Sequence, residues 1–417
     1  TGRNDWASQL ANSSTSSFFY PSVGLSGVIS EMIQMPSFID YMKVRGSFSS
    51  VGMPYPRNLT SPTYEYNEAT QSWKPKTHYP IGDLKPERTD SWEVGLDMKL
   101  FKDFNLGLSW YLANTFNQTF DPQISVSSGY TTIYLQTGYV RNTGLELSLG
   151  YGHTWNNNFR WDSNFTLSHN KNKIKELVRD YVHPETGELI NKDRLDVGGL
   201  GKARFILKEG GTLGDLYTQS DLKRDDNGMV DIDPTGIVAI ENNLPDIKLG
   251  SVFPKANLAW SNHFSWKGIS LSALFTARIG GIVYSATEAA MDQYGVSERS
   301  ALARDNGGVL VNNRTLVDAQ NYYTTIGSES GLPQYYTYNA TNVRLQEASI
   351  GYLIPRKWLG NVCDIQVSVI GRNLWMIYNK APFDPESVAT TDNYYQGIDY
   401  FMLPSTRNIG FNVKINF

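Results

Sequence analysis

Apolar residues fall at every second position in one stretch of this chain after another, and that alternation constrains the fold more than any other feature. In SWEVGLDMKL the apolar positions are Trp92, Val94, Leu96, Met98 and Leu100; after a short FKD turn, FNLGLSWYL places Phe104, Leu106, Leu108, Trp110 and Leu112 on one face. Successive side chains of an extended strand point to opposite sides, so each stretch is a strand with a single apolar face and the pair is a β-hairpin. The pattern returns at Leu145, Leu147, Leu149 and Tyr151 and, after the turn Asn156-Asn157-Asn158, at Phe159, Trp161, Phe165 and Leu167. It also runs to the last residue, where Ile409, Phe411, Val413, Ile415 and Phe417 alternate with Asn408, Gly410, Asn412, Lys414 and Asn416.

Further strands are expected near 20–33, 38–52, 252–264, 268–280, 342–354, 363–378 and 404–417, roughly eleven in all. Short turns fall near 34–37, 101–103, 153–158, 265–267 and 355–362, whereas about 170–251 and 281–341 are long connections. Every second connection is short, so the short ones all lie at one end of the sheet. Loops of the longer kind are uncommon in compact soluble domains, and short turns at one end with long loops at the other are the mark of an outer-membrane barrel. Lipid offers no hydrogen-bond partner, so every backbone group must pair within the sheet. The expected fold is therefore all-β: a transmembrane antiparallel up-and-down β-barrel with long extracellular loops. A soluble sandwich or barrel would alternate in the same way but leaves the one-sided loops unexplained.

The chain has 25 Tyr, 10 Trp and 18 Phe beside 36 Gly, yet only 40% of its residues are hydrophobic. That is rich in strand formers and polar overall. A net charge of -4 gives no basic stripe for a phosphate backbone, which argues against nucleic acid as a partner. The single cysteine, Cys363, makes no internal disulfide. No apolar run is long enough for a transmembrane helix, whereas a barrel strand needs only about 9–11 alternating residues. Thr1 is followed by no charged-then-apolar leader, so an export signal is expected to lie outside this chain.

Several motifs invite chemistry. KEGGTLGDLY (208–217) is glycine-rich but lacks a strand-turn-helix setting and a following GK[ST], which argues against a phosphate-binding loop. RDDNGMVDID (224–233) resembles a calcium loop, but with Gly228 in the sixth place Lys223 takes the first ligand position and Pro234 the twelfth, where carboxylates are needed. A looser oxygen-ligand site from Asp225, Asp226, Asp231 and Asp233 and a solvated acidic loop both stay open. His78, His153, His169, His183 and His263 are scattered, and Cys363 has no His near it in sequence. The sequence thus offers no catalytic residue and no cofactor motif, assigns no metal ligand beyond that open acidic loop, and the chain is not expected to be an enzyme. The tyrosines of the long connections are different. Tyr322, Tyr335, Tyr394 and Tyr395 are candidate ligand-binding residues, because an aromatic face stacks on sugar C–H groups or holds a peptide side chain. The alternative is an interfacial aromatic belt or the packing of the loops themselves.

LKPERTDSWEVGLDMKLF (84–101), RNTGLELSLGY (141–151), NKNKI (170–174), RLQEASIGYLIP (344–355), GRNLWMIYNKAPFDPES (371–387) and NIGFNVKINF (408–417) resemble, in this order, the C-terminal region of SusC/RagA-type TonB-dependent outer-membrane transporters. The resemblance implies import of bulky nutrients, oligosaccharides or peptides, across the outer membrane of a Bacteroidota-like cell. It also implies a SusD-like surface lipoprotein as partner and energy from the TonB inner-membrane complex. Family barrels have roughly 22 strands around a plug, so residues 1–417 are expected to be the C-terminal part of the barrel, about half of it, with the plug and first strands outside this chain. Rival readings are a passive outer-membrane porin and a soluble carbohydrate-binding or hydrolytic β-protein; hydrolysis would need a carboxylate pair that the sequence does not offer.

An alternating last strand with a final aromatic also resembles the signal by which the outer-membrane assembly machinery recognises barrels. On that reading Phe417 is an assembly signal as well as an interfacial anchor. Deleting Phe417, or appending a short polar tail, is expected to deplete folded surface-exposed protein and leave unfolded or degraded chain in the periplasm. Normal amounts of folded protein from both variants would reduce Phe417 to a packing residue.

Overall fold

The computed structural model describes residues 1–417 except 8–16, 56–63, 76–77, 80–83, 121–129, 131, 157, 183–186, 188, 329–330, 361, 391–394 and 417. Twelve strands form one sheet in strict chain order, each antiparallel to its neighbours. They are β1 (Gly2–Trp6), β2 (Ser17–Val28), β3 (Ile39–Met53), β4 (Glu87–Leu100), β5 (Phe104–Phe120), β6 (Leu135–Thr154), β7 (Arg160–Glu176), β8 (Ala256–Trp266), β9 (Ile269–Ile279), β10 (Asn342–Ile354), β11 (Asp364–Asn379) and β12 (Asn408–Asn416). This is the up-and-down order that alternating hairpins dictate, and every strand read from the sequence is present. The additional strand is β1, GRNDW, which carries no apolar alternation and is defined by its pairing from Gly2↔Pro21 to Trp6↔Ser17. Asp5 adds to that pairing by accepting a hydrogen bond from Tyr20 across the two strands, and it also accepts one from Arg3 on its own strand.

The short turns lie where the punctuation placed them. Between β8 and β9 only Lys267 and Gly268 intervene, with φ of 47° and 89°. Two successive left-handed residues make the turn whose twist matches a right-handed hairpin. Because strand side chains alternate and the register is continuous, one face becomes a belt: Met98, Leu106, Leu149, Phe165, Trp260, Phe275, Leu345 and Trp375 follow one another across eight strands. On this face Trp92 is 55% exposed, Ile350 56% and Phe411 82%. A continuous exposed apolar face of this kind is intolerable in water and is the lipid-contacting surface of a barrel.

The buried core lies beyond the loop end of the sheet. Tyr55 and Leu84 from the β3–β4 connection, Ile133 before β6, Leu195, Phe205 and Leu216 between β7 and β8, Tyr284, Ile326 and Tyr336 between β9 and β10, and Ile398 before β12 belong to one cluster. The long connections near 170–251 and 281–341 are present and carry structure of their own. They contain a four-stranded sheet (Arg194–Leu200, Ala203–Lys208, Asp215–Thr218, Ile247–Ser251) and three helices, α1 (Ala286–Gln293), α2 (Glu298–Asp305) and α3 (Ala319–Gly327). The reason is local: ARFILK and DLYT are buried on both faces, so they are continuous runs rather than alternations. Ser285, Ser297 and Asp318 cap the three helices by accepting the amides of Glu288, Ser300 and Asn321. Within KEGGTLGDLY, residues 209–214 form the connection between two of these strands, with Gly210 at φ 84°.

Asp246 ties this loop domain together by accepting from Arg194 at 2.7 Å and pairing with Lys208 at 2.9 Å. The Arg194 hydrogen bond, with Lys208 adding to it, holds the Asp246 carboxyl well below the usual carboxylate range. A depressed folded-state pKa contributes stability that is complete above the unfolded value, about pH 4, and is lost as pH falls below it. Amide protection of Arg194–Leu200 is expected to decline on acidification through that region, and Asp246→Asn should lower it at neutral pH and flatten its pH dependence. Phe205 is fully buried among the loop strands, and Phe205→Ala is expected to destabilise the loop domain by about 3–5 kcal/mol. Limited proteolysis should then cut the loops, while the heat-modifiable gel mobility of the barrel is retained.

Candidate functional site

The positions between the apolar ones face the concave side of the sheet. Arg45, Asp97, Ser109, Glu146, Thr166, Ser168, Asn257, Thr276, Arg278 and Gln346 line a cavity of about 730 Å3 there. They reach that wall for the reason the leucines reach lipid: a period of two with the register held across neighbouring strands. Arg45 pairs with Glu93 at 2.9 Å and donates to Ser109, and Arg372 pairs with Glu347 at 2.8 Å. Gly95, opposite Arg45, leaves the room this requires, since a Cβ there would come within 2.3 Å of the Arg45 Nε. These open pairs contribute little stability. Their effect is to make the wall polar and wettable.

At the loop end of the wall, Arg344 binds Asp384 at 2.8 Å, Glu386 at 3.1 Å and the Asn342 side-chain oxygen at 3.2 Å. Burial opposes the charge of Asp384, but the Arg344 hydrogen bond prevails and holds its carboxyl below the ordinary value. This bolt fastens the β11–β12 connection to the start of β10. In the loop domain, Asp292 is buried and accepts from Ser297, from Arg299 at 2.9 Å and from the Tyr336 hydroxyl at 2.8 Å, with the Arg299 guanidinium 4.9 Å from the Tyr336 ring centre. Burial, reinforced by Asp292, pushes the Tyr336 phenol up, so it stays a protonated donor. A buried carboxylate satisfied this fully locks α1, α2 and the turn Pro333–Tyr336 together.

Of the tyrosines singled out from sequence, Tyr322 is half-buried and meets Tyr323 edge-on at 5.4 Å, and burial pushes its phenol up to about 12. Tyr335 is half-buried as well, and both pack against the loop core. Tyr395 is 47% exposed and its hydroxyl lies over Gly198 of the loop strand Arg194–Leu200. Tyr394 and Phe417 lie outside the described residues. The acidic loop does not converge. Asp225 caps the amides of Asn227 and Met229, Asp233 those of Thr235 and Ile237, and Asp231 pairs with Lys223 at 2.7 Å. His153 is bonded to Asp103, His169 to the Lys255 carbonyl and His263 to Ser272, each on its own. Arg278 and Glu146 were legible as polar positions inside apolar alternations. Asp292 and Arg299 had no such signal, because their partners are distant in sequence.

The chain matches the family model described as TonB dependent receptor-like, beta-barrel, over residues 1–374. It is 25% identical over 372 residues to TonB-dependent receptor P3 of Formosa agariphila, covering 81% of this chain and 35% of that protein. It is 24% identical to TonB-dependent receptor P26 of the same organism, covering 100% of this chain and 44% of that one. Among solved structures, the RagAB peptide transporter superposes with a TM-score of 0.76 at 19% identity, covering 100% of this chain and 45% of that chain. The RagAB peptide importer in its open-open state gives 0.73 at 18% identity, covering 100% and 44%. The chain thus spans less than half the length of these relatives, and the solved structures share its fold. With its meander, its lipid belt and this match, the chain belongs to the TonB dependent receptor-like β-barrel family of the outer membrane.

Proposed function

We propose that the whole protein imports bulky nutrients, oligosaccharides or peptides, across the outer membrane by TonB-dependent active transport together with a SusD-like surface lipoprotein. The observation that carries this reading is the pairing of a polar concave wall with a folded domain over one end of it only. A simple pore needs the wall. A loop domain with its own core and a buried Asp292–Arg299 lock supplies a shaped surface for capturing ligand and partner. Membership of a family of receptors and transporters supports the energised mechanism, and the chemistry is binding and release with no covalent step.

Within this reading the chain supplies about half of a barrel of roughly 22 strands. Among the described residues β1 and β12 each pair on one side only, and lipid tolerates no open sheet edge. Tyr322, Tyr335, Tyr394 and Tyr395 stay candidate ligand contacts of the loop domain, and Phe417 a candidate assembly signal.

The test uses the full-length protein in its native membrane. It is expected to co-purify with a surface lipoprotein, and uptake of labelled oligosaccharide or peptide by whole cells should stop when an uncoupler collapses the proton-motive force. Flux that continues unchanged would establish a passive porin and overturn the energised reading.

A further inference from the structure

One rung of the concave wall carries a charge pattern that transport in general does not require. Glu146 on β6 stands directly opposite Ser168 on β7, Ser168 opposite Asn257 on β8, and Asn257 opposite Arg278 on β9. All four line the cavity of about 730 Å3. A carboxylate and a guanidinium are thus set at the two ends of a straight row, three inter-strand steps or roughly 14 Å apart. Only small neutral polar side chains stand between them.

Other charges on this wall are neutralised in place, as Arg45 is by Glu93 and Arg344 by Asp384 and Glu386. Neither Glu146 nor Arg278 has an ion-pair partner within 4 Å among the described residues; the carboxylate that acts on Arg278 from a longer distance, Glu386, is held by Arg344. Arg278 donates through Nη2 to the Val252 carbonyl at 2.7 Å, and its buried Nε has no acceptor among the described residues. The Arg278 side chain also borders the cavity, where its guanidinium can meet an acceptor from a ligand.

We infer that this row is a binding subsite for a short peptide in extended form, with its α-ammonium at Glu146 and its α-carboxylate at Arg278. An extended chain rises about 3.3–3.4 Å per residue, so about four residues match the gap. Ser168 and Asn257 offer side-chain donors and acceptors to the peptide backbone between the ends. A neutral sugar fits poorly: among the described residues the cavity wall has no aromatic face to stack on a pyranose ring, and it would leave both charges unanswered. The inference rests on the import reading above and selects peptide over glycan within it.

The test is equilibrium binding to the purified full-length protein in detergent, which needs no energised membrane, so its failure is separable from failure of active transport. The probes are tetra-alanine with free termini, its N-acetyl form, its C-amide form and a neutral glucan oligomer. Free tetra-alanine should bind best, with each blocked terminus weakening binding roughly tenfold, the worth of a charge-assisted hydrogen bond. Glu146→Gln should erase the distinction between free and acetylated peptide, and Arg278→Gln that between free and amidated peptide. Arg278→Lys keeps the charge and should keep the carboxylate preference. Equal binding of free and blocked peptides, tighter binding of the glucan, or unchanged discrimination in the Gln variants would each overturn the assignment. So would loss of the heat-modifiable folded form in both Arg278 variants, which would make Arg278 a packing residue of the barrel or a contact for the rest of the protein.

Discussion

A backbone amide in hydrocarbon has nowhere to turn except to another backbone, and the whole structure follows from that. It forces each strand to pair fully with its neighbour, and the simplest chain path that achieves this is the observed meander from β1 to β12. Once the register is continuous, the two-residue period sorts the side chains without further instruction. Leucine, phenylalanine and tryptophan rungs face the lipid while serine, threonine, asparagine and arginine face inward. The inner wall is then an aqueous surface built in the middle of a membrane, where a charge is tolerable only because it is wetted or paired.

The same rule explains why the apolar core is displaced to one end. A sheet whose outer face is already covered by lipid and whose inner face meets water has no need of a packed core. The residues that do pack, from Phe205 to Tyr336, lie in the connections, where water surrounds the chain and burial drives folding as in any soluble domain. Two solvents therefore stabilise two parts of one chain, and the polar ties differ accordingly. Open Arg–carboxylate pairs line the wall, whereas enclosed and fully bonded carboxylates such as Asp292 and Asp246 brace the loop domain.

The sheet was legible in the sequence because alternation is a local signal: Trp92 to Leu100 and Ile409 to Ile415 declare their faces residue by residue. Strand β1 was not, because Arg3, Asn4 and Asp5 contain no apolar period and their pairing depends on β2. The loop domain was legible only in fragments. Short buried runs such as ARFILK look alike in a strand, a helix or a linker, and what decides between them is contact with segments over a hundred residues away, as between Ser285 and Asp399. For the candidate site the polar half of each alternation identified which side chains face the lumen. The register that lines Glu146 up with Arg278 is set by three successive hydrogen-bonded pairings, which a linear pattern does not disclose.

The loop core takes residues from five separate connections, between β3 and β4, β5 and β6, β7 and β8, β9 and β10, and β11 and β12. None of these segments can bury its apolar residues alone, and they meet only after the strands between them have paired. The core is therefore complete only when the sheet is paired, so its integrity depends on the barrel wall beneath it.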